Sequence, residues 1–127
     1  MAFVIRDDVK VYFEDHGTGP AILLSHGFSQ SSTMWREQIA DLQDRYRVIT
    51  WDMRGHGQSD YPEDPAAYTD AESVADMAAI LDACGERKAV IGGLSLGGCA
   101  SLLFHLKYPE RTAGLMLFDT GPGFRKD

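Results

Sequence analysis

Residues 93–97 read Gly-Leu-Ser-Leu-Gly and sit between two contrasting stretches. Before them, the apolar run 89–92 has the length of a buried strand. After them, 96–108 carries apolar residues at helical spacing and is stopped by Pro109. A strand that passes into a helix around one serine places that serine in a strained turn, with its oxygen projecting from the sheet. Glycines two positions to either side leave room for strand and helix to approach closely, and Gly92 and Gly98 extend the clearance.

The rest of the chain repeats the alternation. Residues 3–6 and 9–13 are β-prone runs joined across Asp7 and Asp8, an N-terminal hairpin, and 15–20 follows as a loop. Ala21–Ser25 is a strand. A helix over 34–42 places Trp35, Ile39 and Leu42 on one side, with Ser31, Ser32 or Thr33 as its N-cap. A strand at 48–51 leads into a long Gly-, Pro- and Asp-rich loop that reaches Tyr68. Thr69 and Glu72 have the spacing of a capping box. Val74, Met77, Ala78 and Leu81 then form a helical stripe ending at Gly85, and 114–119 is one more strand. Strand and helix in turn predict an α/β fold, a mostly parallel sheet with helices on both faces and the hairpin as its antiparallel edge, in one domain over 1–127. Ligands of such sheets lie at the carboxyl ends of the strands, where 25–27, Asp52, 93–95 and Asp119 fall.

The formal net charge of −7, with twelve basic residues scattered among nineteen acidic ones, argues against nucleic acid as a partner. No apolar run approaches the roughly 20 residues that cross a bilayer, and Arg6, Asp7 and Asp8 interrupt any signal-peptide core, so the expected location is cytoplasmic. Cys84 and Cys99 lack the spacing of a disulfide framework or a metal site and are expected to be buried structural thiols. No cofactor is expected.

Ser95 is the candidate nucleophile. At the N-terminus of the 96–108 helix, free N–H groups and the positive end of the dipole favour a developing oxyanion, with the Leu96 amide as first donor. The second donor is assigned to the Phe28 amide, in the loop after the strand Ala21–Ser25, with His26 and Gly27 shaping that loop beside Gly93 and Gly97. A bystander serine in a glycine-rich turn is the plainer alternative. As a general base, His26 lacks a local carboxylate to orient it.

Three motifs, His26-Gly27, the run from Asp52 through Arg54, Gly55, His56, Gly57 and Ser59 to Asp60, and 93–98, resemble in order and spacing the α/β-hydrolase superfamily. The resemblance is to the serine-nucleophile branch with enol-lactonases, carboxylesterases, C–C bond hydrolases and cofactor-free perhydrolases. It implies that Asp52, Arg54 and His56 are structural, and that the catalytic acid and histidine follow later strands. The expectation is therefore a partial fold ending after the sixth strand, with the base absent in cis, since His16 falls in a loop and His105 faces out of a helix. Asp119 is the candidate acid, with capping of the turn at Thr120 and Gly121 as the alternative. The function implied is hydrolysis of a small ester- or lactone-type acyl substrate through an acyl-serine intermediate, inactive or weak in this chain. A non-catalytic binding or assembly module is the alternative. Leu115, Met116, Leu117 and Phe118 would form an exposed apolar edge, through which self-association is expected.

Overall fold

The computed structural model describes residues 2–120. Strand β1 (Ala2–Arg6) turns into β2 (Val9–His16) through Asp7 and Asp8, both at positive φ (50° and 64°), the geometry of a tight hairpin turn that aspartate tolerates. β3 (Ala21–Ser25), β4 (Arg47–Trp51), β5 (Ala89–Leu94) and β6 (Thr112–Phe118) complete a six-stranded sheet in the order β1-β2-β4-β3-β5-β6. The first two pairings are antiparallel and the other three parallel.

The two faces of the sheet are covered separately. Ile22, Leu24 and Val48 pack with Trp35, Ile39 and Leu42 of the segment that ends in helix α1 (Arg36–Leu42). Their strand neighbours Leu23, Ile49, Trp51 and Ile91 point the other way. There they meet Val74, Met77 and Leu81 of α2 (Asp70–Ala83) and Ala100 and Phe104 of α3 (Leu96–Lys107). Strands buried on both faces account for the near-continuous apolar runs in the sequence.

Helix α2 shows its ends clearly. The Thr69 hydroxyl accepts the Glu72 N–H at 3.3 Å, half of the capping box. The Glu72 carboxylate makes the other half elsewhere, reaching Arg6 at 3.0 Å and Arg54 at 3.4 Å. At the far end Gly85, at φ 69°, closes the helix: its N–H donates to Asp82 O and the Glu86 N–H to Leu81 O.

Several expectations need correction. The loop begins later than 15: Asp15 and His16 belong to β2 and pair with Ile49 and Val48 of β4. Main-chain pairing with β4 overrides the polar side chains that suggested a loop, and His16 is a half-buried strand residue at 2.9 Å from Glu14. The helix expected at 34–42 starts as a 3₁₀ turn at Ser32 under a Ser31 cap and becomes α-helical only at Arg36. The irregular stretch before Tyr68 contains a further 3₁₀ turn, Pro65–Tyr68, because Asp64 accepts the Ala66 N–H at 2.9 Å and Pro65 presets the first φ. Cys84 and Cys99 are half-buried rather than buried, since they lie at the last and first turns of their helices. Burial pushes the Cys84 thiol up to about 11, with Asp15 adding to the effect. His105 does not face out. Helix α3 packs against β3, β5, β6 and α2, and His105 on it is half-buried, with its Nδ1 buried and without a partner among the described residues.

Candidate active site

The turn from β5 into α3 bends at Ser95, at φ 52° and ψ −111°, a left-handed conformation uncommon for a residue with a side chain. The surrounding bonds hold it there. The Ser95 N–H donates to Phe118 O at 3.0 Å, and the Ser95 carbonyl accepts from the Cys99 N–H at 3.0 Å and the Thr120 hydroxyl at 2.7 Å. A Cβ on Gly93 would meet the Gly97 backbone, and one on Gly97 would run into the carbonyls of Ser25 and His26. Neighbouring backbone therefore excludes any side chain at either position, which is the clearance the spacing predicts.

Leu96 opens α3, so its N–H has no intrahelical acceptor. Across from it, the loop after β3 carries Phe28, which is 74% exposed. The Gly27 carbonyl accepts from the Gln30 N–H at 3.1 Å and from His26 Nδ1 at 2.7 Å. Because a trans peptide holds its C=O and N–H antiparallel, fixing the Gly27 carbonyl also aims the Phe28 N–H. Neither the Phe28 nor the Leu96 N–H donates a hydrogen bond among the described residues. Both residues line a cleft of about 190 Å³, together with Arg54, His56, Tyr68 and Ser73.

His26 is wholly buried and has both ring nitrogens engaged: Nδ1–H donates to Gly27, and Nε2 accepts the Met53 N–H at 2.9 Å. Burial holds its pKa below the ordinary imidazole value, and His56 adds to the shift against the opposing Gly27 carbonyl and Asp52. The unfolded chain then takes up a proton that the folded chain refuses. Stability should be full above the ordinary value near 6.5 and fall below it by up to about 1.4 kcal/mol per pH unit. Urea midpoints at pH 8 and pH 5.5 check this. The drop should shrink in His26→Gln, and an equal drop in both proteins would contradict the assignment.

Asp52 and Arg54 do the structural work implied by the resemblance. The Asp52 carboxylate accepts the Ser32 N–H at 2.7 Å and the Gln58 N–H at 2.9 Å, tying the loops after β3 and β4 together. Arg54 makes a forked contact with the buried Asp76, Nε to Oδ2 at 2.8 Å and a terminal nitrogen to Oδ1 at 3.0 Å, and Arg6 reaches the same carboxylate at 2.7 Å. Asp76 was not singled out from the sequence, nor was the Thr120 hydroxyl that braces the Ser95 carbonyl. The first hides inside a helical stripe as its only acid between Val74 and Met77, and the second gives no local signal.

Asp119 lies one residue past β6, at φ 45°, beside the Phe118 carbonyl that holds Ser95. Its side chain makes no hydrogen bond or ion pair among the described residues. The alternative that it caps a turn at Gly121 falls outside them. No group of three His, Cys, Asp or Glu side chains among the described residues is placed to hold a metal ion. No described helix is long and apolar enough to cross a membrane.

The sequence profile of the family described as alpha/beta hydrolase fold matches residues 20–125. Among curated relatives, the chain is 37% identical over 117 residues to a protein of Azorhizobium caulinodans named "Putative carbamate hydrolase RutD", covering 92% of this chain and 43% of that protein. It is 36% identical over 109 residues to epoxide hydrolase 3 of Siraitia grosvenorii, covering 85% and 34%. Among solved structures, Est816, described as an N-acyl homoserine lactone degrading enzyme, superposes with a TM-score of 0.90 at 34% identity, over 94% of this chain and 46% of that one. The chain thus spans less than half the length of these relatives, corresponding to their N-terminal portion. Order of strands, placement of the serine turn and sequence profile agree, and the chain belongs to the alpha/beta-hydrolase family.

Proposed function

We propose that this chain carries the nucleophile and oxyanion donors of a serine hydrolase acting on a small ester- or lactone-type acyl bond. The observation that carries the reading is the left-handed Ser95 at the β5–α3 turn, since strain of roughly 1–3 kcal/mol at a residue with a side chain is found where function requires it. In the reaction, Ser95 Oγ bonds to the acyl carbon and gives up its proton, while the carbonyl oxygen gathers charge between the Phe28 and Leu96 amides. The C–O bond to the leaving alcohol then breaks, the alcohol takes the proton, and water hydrolyses the acyl-serine.

The proton needs an acceptor. His26 and His56 have both ring nitrogens engaged, His16 lies in β2, and His105 lies in the last turn of α3. In this reading the base is a group outside residues 2–120, and Asp119 is a candidate acid from the end of β6. Lactones and carbamates, named for two of the relatives, are acyl compounds, and a serine hydroxyl at the turn suits transfer of such an acyl group. With His26 and His56 bonded through both ring nitrogens and His16 and His105 on β2 and the last turn of α3, a second reading is a non-catalytic module that keeps the turn as architecture.

Incubation with p-nitrophenyl acetate and peptide mass mapping separate the two. The enzymatic reading expects one acetyl group on Ser95, formed slowly and absent from Ser95→Ala. No acetyl-Ser95 above the level of the urea-unfolded chain would favour the module.

A second copy of the chain is the partner we propose. Among the described residues β6 lies at the edge of the sheet, its Leu115, Leu117 and Phe118 36%, 40% and 44% exposed, and such an edge is a template for strand pairing. Gel filtration at micromolar concentration should show a dimer or larger species, shifted to monomer by Leu117→Lys. A wild-type chain eluting as a monomer would overturn the pairing.

A further inference from the structure

The loop that carries Phe28 is held by a second imidazole as well as by His26. His56 sits on the turn after β4, its ring centroid 4.8 Å from that of His26 and 5.8 Å from that of Phe28. Its Nδ1 lies 3.1 Å from the Arg54 carbonyl, and a carbonyl can only accept, so Nδ1 carries the hydrogen. Its Nε2 lies 3.2 Å from the Ser29 backbone nitrogen, which can only donate, so Nε2 offers a lone pair. The two contacts together require a neutral ring in one tautomer. Ser29 is also at φ 65°, a left-handed conformation for a residue with a side chain, next in sequence to Phe28.

We propose that His56 is a positioning residue for the Phe28 amide, acting through Ser29. His26 fixes the Gly27–Phe28 peptide by its carbonyl, and His56 fixes the following peptide by its N–H, so the two imidazoles clamp Phe28 from both sides. Protonating His56 turns Nε2 from an acceptor into a donor that faces another donor, so the Ser29 contact is lost and Ser29 is free to leave its left-handed conformation. The charged and titratable groups around the ring are His26 from the β3 loop, Asp52 and Arg54 from the β4 turn, and Tyr68 and Asp70 across the cleft. The Arg54 guanidinium is turned to Asp76, so it does not compete for Nε2. The clamp makes the oxyanion loop sensitive to the protonation state of His56. Its meaning for catalysis rests on the serine-hydrolase reading, whereas the clamp itself is measurable without activity.

The test follows the Ser29 and Phe28 amides and the His56 ring nitrogens by ¹H–¹⁵N NMR of the whole chain from pH 8 to pH 5. At pH 8 the His56 nitrogens should report the Nδ1–H tautomer. On acidification the Ser29 and Phe28 amide shifts should move with the midpoint of the His56 ring itself. The Ser29 exchange protection should fall by about fivefold, the loss of one hydrogen bond of about 1 kcal/mol. His56→Gln can place an uncharged acceptor near the same point, so it should keep Ser29 protected and remove the pH dependence. His56→Leu should lose the protection at every pH. Ser29 and Phe28 shifts that ignore the His56 titration, or equal Ser29 protection in His56→Leu and wild type, would overturn the clamp. Acetylation of Ser95 in the wild-type chain, measured alongside, reports separately on the serine-hydrolase reading. A chain that shows the clamp and no acetyl-Ser95 would retain the former and lose the latter.

Discussion

Asp76→Ala is expected to destabilise the chain by about 3–5 kcal/mol, the usual cost of removing one partner from a buried ion pair. Asp76 is fully buried and takes Arg54 and Arg6 on its two oxygens, while Arg54 has only 6% of its side chain exposed. Removing the carboxylate leaves the buried Arg54 guanidinium with only Glu72 at 3.4 Å and the Ala67 carbonyl at 3.3 Å, and leaves α2 tied to the hairpin and the β4 turn through Glu72 alone. Urea unfolding reads the effect directly. Because a buried pair gains little over a packed apolar one, Asp76→Leu combined with Arg54→Met should recover most of the loss. A single-substitution loss below about 1 kcal/mol would mean that water or rearrangement satisfies Arg54, and that the network does not anchor α2.

Gly97→Ala comes next, at about 3 kcal/mol, the upper end for inserting a methyl group into a filled space. The added carbon would press on the carbonyls of Ser25 and His26, which are backbone atoms at the end of a central strand and cannot swing aside. The α3 N-terminus would have to lift from β3, separating Ser95 and Leu96 from the Phe28 loop. Gly85→Ala is the informative comparison. Gly85 has a positive φ but open space around its Cβ position, so it should cost only about 1 kcal/mol from backbone conformation. Equal losses at the two sites would show that conformation, rather than the close approach of α3 and β3, governs the turn.

The parts of the fold that were legible in the sequence are those fixed by local chemistry. The aspartate pair at 7–8, the Thr69 cap, the stop at Gly85 and the glycines around Ser95 each impose a backbone geometry within a few residues, and each is found where it was expected. Longer-range choices were not legible. Asp15 and His16 read as loop because their strand character comes from β4, 34 and 32 positions away. Glu72 leaves its capping role for arginines brought in by β1 and the β4 turn. Asp76 is buried among apolar neighbours only because Arg6 and Arg54 converge on it, 70 and 22 positions distant. At the site, His26 and Gly27 could be placed in the loop from sequence, but the tautomer that removes His26 from acid–base work depends on the Met53 N–H of another strand's loop.

We propose that Ser95 is held as a nucleophile facing two amide donors. Intact-mass analysis after prolonged exposure to a fluorophosphonate, beside Ser95→Ala and the urea-unfolded chain, tests it most directly. Slow labelling at one site is expected, absent from Ser95→Ala and faster than in the unfolded chain, because oxyanion stabilisation and binding can retain on the order of 10³-fold acceleration without a complete triad. Labelling no faster than in the unfolded chain, or labelling that persists in Ser95→Ala, would contradict it.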